Sequence, residues 1–105
     1  MQTQIENFDA KLEQLRATIE QQQRAGLEAQ GFDPANHRHD CRIKFGRKYV
    51  NIDVGDSGKY MVDIGTGEIF GIKAYGVIHR GHRFGTLDTI REFDWSGYRA
   101  ARKAA

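Results

Sequence analysis

The residues best suited to chemistry lie in one short basic stretch in the last third of the chain. This stretch holds two histidines and two arginines between glycines, namely His79, Arg80, His82 and Arg83. Guanidinium groups are forked donors that match phosphate and carboxylate oxygens, and histidines add donors whose charge changes near neutral pH. Glycine lets the backbone approach a ligand closely. The pattern predicts a loop over residues 76–85 that either binds an anion through these side chains or is a solvated basic loop.

Lysines and aromatic residues are interleaved in the middle of the chain and extend this basic surface. Nucleic-acid-binding sheets combine the same two residue types, because positive charges contact phosphates and aromatic rings stack on bases. The sequence contains no RNP-like motif, and aromatic residues in a small sheet are often core residues. We include four of these residues in the predicted ligand-binding set, namely Lys48, Lys59, Lys73 and Tyr75.

The two histidines could instead perform acid–base catalysis on a phosphodiester. One of His79 and His82 would remove a proton and the other would donate one. They lie three residues apart on the same predicted loop, and the nearest carboxylate that could orient either ring is Asp88. A small phosphodiester-cleaving enzyme is therefore an alternative, although we predict no catalytic residue.

A second group of possible ligands precedes the predicted sheet. His37, His39 and Cys41 are spaced two residues apart, which places them on the same side of an extended segment. Together with His79 or His82 they could hold zinc in a tetrahedral site, which makes a zinc-stabilised interaction module another alternative. The single cysteine excludes an intramolecular disulfide and a zinc site of several thiolates. The group lacks the paired spacing of zinc fingers, so we predict neither a metal site nor another cofactor.

The first third of the chain is predicted to form one amphipathic helix. Thr3 and Glu6 have the spacing of a capping box, and Pro34 excludes helix in the residues that follow it. Hydrophobic residues recur at spacings of 3, 4, 3 and 4, namely Ile5, Phe8, Leu12, Leu15 and Ile19. This spacing predicts a helix from about residue 3 to between residues 25 and 30, with one hydrophobic stripe.

Two interpretations of this hydrophobic stripe are open. The stripe could pack on a sheet of the same chain, or it could pair with the helix of a second chain as a short coiled coil. The two are compatible if the edges of the stripe meet a partner. We predict self-association through the five residues of the stripe, with a dimer favoured.

Short alternating segments separated by glycine-containing turns follow the helix. They are predicted to form four strands, at residues 41–45, 48–54, 59–64 and 68–75. Strands joined by such short turns form an antiparallel meander. Residues 86–95 fit either a short helix or a fifth strand. The predicted fold class is α+β, with a long N-terminal amphipathic helix followed by a four- or five-stranded antiparallel β meander.

Length and charge limit the organisation of the chain. Its 105 residues allow one small domain with an appended helix, and they exclude TIM barrels and complete doubly wound folds. The net charge of +2 divides into −3 over residues 1–35 and +5 over residues 36–105. We therefore predict an acidic helix and linker at 1–35, a basic β domain at 36–95 and a basic tail at 96–105. With no apolar segment of membrane length and no targeting segment, we expect a soluble cytoplasmic protein.

Residues 48–95 resemble small uncharacterised proteins encoded by tailed bacteriophages. The resemblance rests on residues 58–63, 66–76, 79–82 and 85–90. It implies a bacterial cytoplasm as the setting, where small phage proteins often disable a host component or sequester a nucleotide signal. It assigns no catalytic or binding residue.

Together these observations predict a non-enzymatic binding protein. Its partner would be anionic: nucleic acid, a nucleotide signal or the acidic face of a host protein, and not a membrane. Binding would block or sequester that partner, as a host-defence inhibitor does.

Overall fold

The structure is a computed structural model that describes residues 7–36, 38–55, 57–97 and 100–103. Its main part is a helix followed by an antiparallel sheet. The helix, α1, spans Phe8–Ala29. The strands are β1 (Cys41–Phe45), β2 (Tyr49–Val54), β3 (Ser57–Asp63), β4 (Glu68–Ala74) and β5 (Val77–Thr86). Their order in the sheet is their order in the chain. The predicted α+β class, with a long helix before an antiparallel meander, is confirmed.

Shorter elements accompany the helix and the sheet. Single 3-10 turns occupy Pro34–Asn36 and Ile90–Glu92. Strands β6 (Phe93–Asp94) and β7 (Ala101–Arg102) pair with each other in a separate two-stranded sheet. Among the described residues, no helix is both long enough and apolar enough to cross a membrane.

The hydrophobic stripe of α1 packs against the sheet of the same chain. Its four described residues are at most 3% exposed, namely Phe8, Leu12, Leu15 and Ile19. They share one core with fully buried residues of the central strands, namely Val50, Ile52, Val62 and Ile69. Alternation along each strand directs these side chains to the same side of the sheet, and the helical period directs the stripe toward them. Packing on the sheet is therefore the correct interpretation of the stripe.

This packing changes how a second chain could be bound. The four buried residues face the sheet, so in this fold they are not exposed for contact with the helix of a partner. The fifth residue of the predicted stripe, Ile5, and the predicted capping residues Thr3 and Glu6 lie outside the described residues. Self-association itself stays a prediction.

The segment predicted as a loop at residues 76–85 is a strand, so this prediction is wrong. It forms most of β5, which pairs with β4 along its length. The pairing is irregular: Phe70 pairs with Arg83, whereas the next residue of β4, Gly71, pairs with His79. Residues 80–82 are therefore extra residues in a wide bulge on β5. Because the bulge resets the alternation of side chains, the segment does not have the period-two pattern by which a strand is recognised.

The described residues near the C-terminus contact the core, whereas the sequence predicts a basic tail at 96–105. Trp95 is completely buried, and Ala100 is 7% exposed. The side chain of Gln23 on α1 donates to the carbonyl of Trp95 at 2.6 Å, and the N–H of Trp95 donates to Oε1 of Gln22 at 2.6 Å. Residues 86–95, predicted as a helix or a strand of the main sheet, form a turn, a 3-10 turn and β6. Helix, sheet and C-terminal residues thus contribute to one hydrophobic core.

Candidate functional site

The helix covers one face of the sheet, and the other face carries the polar, basic and aromatic side chains. Cross-strand pairs define this second face, because directly opposed residues point the same way. The pairs Arg42–Asp53, Lys44–Asn51, Tyr49–Asp63, Asn51–Met61, Met61–Phe70 and Phe70–Arg83 run across all five strands. We call this surface the open face. Met61 and Phe70 are each 5% exposed but do not belong to the core beneath α1, so neighbouring side chains on the open face must cover them.

Arg80 is the side chain that covers the centre of the open face. Its guanidinium lies 5.6 Å from the centre of the Phe70 ring and 5.7 Å from the centre of the Tyr49 ring, and it donates a hydrogen bond to the Tyr49 hydroxyl. Tyr49 is on β2, three strands from Arg80, a span of about 14 Å at ordinary strand spacing. Both long side chains are therefore needed to bridge the sheet. The contact stabilises a positive charge above aromatic rings, where the ring quadrupole attracts it.

A cleft of about 390 Å³ lies beside this contact. It is bounded by the β1–β2 turn, the end of β3 and Arg80, and the residues that line it are Arg47, Lys48, Tyr49, Asp63, Ile64, Gly65 and Arg80. A second depression of about 440 Å³ shares Arg47, Lys48 and Tyr49 and continues toward Asn51 and Met61. The two depressions adjoin at these shared residues, and we call them together the groove.

The charges around this cleft are unequal. Three cationic side chains line it, from Arg47, Lys48 and Arg80, against the single carboxylate of Asp63. The Asp63 carboxylate is held by the turn after β3, where its Oδ1 accepts the N–H of Gly65 at 2.8 Å and that of Thr66 at 3.2 Å. The cleft therefore has an excess of positive charge with one fixed acceptor at its edge.

Arg83 lies on the open face, but its charge is already paired. Its Nε donates to Oε2 of Glu68 at 2.7 Å. This hydrogen bond is the main reason that the pKa of Glu68 is lowered, with the charge of Arg83 adding to the effect. A ligand would have to compete with Glu68 for this guanidinium, so Arg83 contributes less free positive charge than its sequence position predicts.

The two predicted histidines lie on the opposite face from Arg80. Their rings stack on each other with centres 3.9 Å apart and planes 3° from parallel. A Cβ added at Gly71 would meet the Cβ of His82 at 3.1 Å and the ring of Phe84 at 3.3 Å. Phe84 packs against the core beneath α1, so the neighbouring His82 ring, and the His79 ring stacked on it, lie on the α1 side of the sheet. His79 and His82 therefore cannot act on a phosphate held by Arg80, and this geometry gives no support to the acid–base alternative.

The remaining predicted contact residues lie at the other end of the sheet. Tyr75 donates to Oδ2 of Asp53 at 3.1 Å, which raises the pKa of the Tyr75 hydroxyl. Burial lowers the pKa of Lys59, and Lys73 is exposed on β4. Asp53 is four residues along β2 from Tyr49, about 13 Å at the rise of a strand. The structure therefore brings Lys48 and Arg80 together but leaves Lys59, Lys73 and Tyr75 away from the cleft.

Three of the cleft residues with polar side chains are not in the predicted ligand-binding set. Arg47 and Tyr49 flank the predicted contact Lys48, and Asp63 faces Tyr49 from β3. The signal available in the sequence is the Gly46–Arg47 turn, which places residue 47 at the rim of the sheet. Alternation along β2 further separates Tyr49 from the buried Val50. The pairing of Tyr49 with Asp63 depends on the register of two strands and has no local signal.

The predicted alternative of a zinc site has no support from the described part of the chain. No group of three or more histidine, cysteine, aspartate or glutamate side chains placed to hold a metal ion occurs there. His37 lies outside the described residues. Cys41 is 3% exposed at the start of β1, and burial raises the pKa of its thiol to about 12.

We expect Cys41 to be inert toward thiol reagents while the protein is folded. The thiolate is the reactive form, and a pKa of about 12 leaves the group protonated at neutral pH. Titration with Ellman's reagent should detect no free thiol in native protein and one thiol per chain after unfolding in guanidinium chloride. Equal rates of reaction in both states would show that Cys41 is not buried as described.

No protein-family model, curated protein or solved structure gives a match to this chain. The functional argument therefore rests on the geometry of the open face.

Proposed function

We propose that this chain is a non-enzymatic binding protein that holds an anionic partner on the open face of its sheet. The observation that carries the proposal is the position of Arg80, above the Tyr49 and Phe70 rings and beside Arg47 and Lys48. Guanidinium and ammonium groups provide phosphate contacts, and a guanidinium held flat against aromatic rings is itself a surface on which a base can stack.

Single-stranded nucleic acid is the partner that these features favour. Six basic side chains belong to the open face and its rim, namely Arg42, Lys44, Arg47, Lys48, Arg80 and Arg83. Four acidic side chains oppose them, namely Asp53, Asp63, Glu68 and Asp40, whose Oδ2 lies 3.5 Å from Nε of Arg42. The groove has room along its length for more than one nucleotide, since its two halves measure about 390 and 440 Å³. Sheets that bind single strands use this combination of a positively charged groove and aromatic side chains.

The proposal is tested by the salt dependence of binding to a labelled oligothymidylate. Fluorescence anisotropy over a series of salt concentrations gives the affinity and its slope, and each lost phosphate contact lowers the slope by about 0.7 for single strands. We expect Arg80→Ala to weaken binding about tenfold, because it removes a phosphate contact at the centre of the open face. Lys48→Ala should lower the slope with a smaller loss of affinity.

Arg24→Ala is the matched control, because Arg24 is exposed on α1 and lies away from the open face. It removes the same charge from the chain and should leave both affinity and slope nearly unchanged. Circular dichroism of all three variants checks that the fold is intact. If Arg80→Ala and Arg24→Ala have equal effects, binding depends on net charge alone and the open face is not the site.

The resemblance to phage proteins provides the biological part of the proposal. On that basis we propose that binding blocks or sequesters the partner in a bacterial cytoplasm. Affinity purification with and without nuclease treatment separates the possible partners: a nucleic-acid partner disappears after nuclease, whereas an acidic host protein remains bound. Retention of one host protein together with no affinity for oligothymidylate would replace nucleic acid by that protein as the partner.

A further inference from the structure

We infer that the cleft beside Arg80 selects guanine among the bases of a bound strand, with Asp63 as the residue that reads the base. The inference rests on the proposed binding of single-stranded nucleic acid. To the proposed function it adds Asp63 as the residue that determines base specificity, and it gives a chemical reason for the presence of this one carboxylate in a basic cleft.

The orientation of the Asp63 carboxylate is the first observation that supports this inference. Both of its backbone donors, the N–H groups of Gly65 and Thr66, bind the same oxygen, Oδ1. Asp63 is one of the residues that line the cleft, and neither of these two bonds uses its second oxygen, Oδ2. An acceptor fixed in this way is already oriented before a ligand arrives, which lowers the entropy lost on binding.

The distribution of charge in the cleft is the second observation. A bare phosphate would be drawn to Arg47, Lys48 and Arg80 but repelled by Asp63. A nucleotide avoids this conflict, because its phosphate can contact the three cations while its base turns N–H donors toward the carboxylate. The cleft therefore suits a ligand that is anionic at one end and carries hydrogen-bond donors at the other.

The chemistry of the bases then points to guanine. The Watson–Crick edge of guanine carries two adjacent donors, N1–H and the N2 amino group, whereas adenine, cytosine and thymine each present one donor position beside acceptors. A carboxylate accepts from both guanine donors, and it repels the acceptor atoms of the other bases. Asp63 is the cross-strand partner of Tyr49, so a base bound to Asp63 also lies within reach of the Tyr49 ring.

The test uses short oligothymidylates in which one central position is varied among the four bases. For the unmodified protein we expect the strand with a central guanine to bind about fivefold or more tightly than the all-thymine strand, the discrimination typical of a paired contact to a base edge. Asp63→Asn keeps an oxygen for the N–H groups of Gly65 and Thr66 but places an amide donor where Oδ2 was. This variant should bind the four strands within about twofold of one another, because the guanine donors then lose their acceptor.

Asp53→Asn is the matched control for the change in charge. Asp53 lies on the same open face at the other end of β2, and asparagine can still accept the hydrogen bond from Tyr75. This variant should tighten binding to all four strands equally and keep the preference for guanine. A preference for guanine that persists in Asp63→Asn, or that is lost equally in Asp53→Asn, overturns the role of Asp63.

The same measurements separate this inference from the proposed function. Equal binding of all four strands by the unmodified protein, with a normal salt slope, would overturn base selection and leave nucleic-acid binding intact. No binding of any strand would overturn both.

Discussion

Replacement of Gly85 by alanine is expected to destabilise the fold by about 4 kcal/mol, the sum of backbone strain and overpacking. Gly85 ends the regular part of β5 with φ +72°, a left-handed conformation that alanine adopts only at a cost. A Cβ at this position would lie 2.2 Å from Oγ1 of Thr89 and 2.7 Å from the ring of Phe93. Neither neighbour can move freely, because that hydroxyl accepts the N–H of Thr86 at 2.9 Å and Phe93 is 5% exposed.

Equilibrium unfolding in urea measures this change, with fluorescence of the single tryptophan, Trp95, as the probe. Gly76→Ala is the matched control, since Gly76 has φ +76° but nothing lies within 4 Å of an added Cβ. It should cost only the conformational penalty, about 1 kcal/mol. Equal losses in the two variants would mean that the turn after β5 is not packed against Thr89 and Phe93.

The parts of the fold that could be predicted from sequence are those with an uninterrupted period. The stripe of α1 repeats over its whole buried length, and β2 alternates from Tyr49 to Val54 with Val50 and Ile52 fully buried. Short turns with glycine then determine an antiparallel order, because a parallel connection needs many more residues. These signals are local, and each is contained within one element or one turn.

The strand β5 could not be predicted because its signal is interrupted. The three extra residues at 80–82 break the alternation between His79 and Arg83. In this bulged strand the side chains divide between two faces, with Arg80 and Arg83 on the open face and the stacked rings of His79 and His82 on the other. A loop does not divide its side chains between two faces in this way. The predicted loop therefore groups His79, Arg80, His82 and Arg83 as one cluster.

The candidate site could be predicted only in part, for a different physical reason. Lys48 and Arg80 are recognisable as basic residues next to turns or glycines, and both line the cleft. The other necessary contacts are non-local: Arg80 reaches Tyr49 from three strands away, and Asp63 meets Tyr49 through the register of β2 and β3. A one-residue slip in either pairing would move these side chains to the other face.

Trp95 shows the same limit, because residues 86–95 fit either a short helix or a fifth strand and no local pattern places this side chain in the core. Its ring is buried among residues from distant elements, with the Tyr60 ring 5.3 Å away in an edge-on arrangement. Its Nε1 donates to the carbonyl of Ile90 at 2.9 Å. Because these contacts join the C-terminal segment to β3 and to the turn after β5, the side chain holds the sheet and the C-terminal residues together.

Trp95→Ala is therefore expected to lower the free energy of unfolding by about 3–5 kcal/mol, the range for removing a large aromatic side chain from a core. Small domains have about 5–15 kcal/mol in total, so this variant should be partly unfolded at moderate temperature. Trp95→Phe is the matched control: it keeps a ring against Tyr60 but removes the indole donor, so the carbonyl of Ile90 retains only the N–H of Phe93, which should cost about 0.5–1.5 kcal/mol. Thermal unfolding followed by circular dichroism compares the three proteins without depending on the indole. A loss of unfolding free energy below about 1 kcal/mol in Trp95→Ala would contradict a buried indole. If Trp95→Ala loses much stability and Trp95→Phe retains most of it, packing contributes more than the single hydrogen bond to holding this end of the chain against the core.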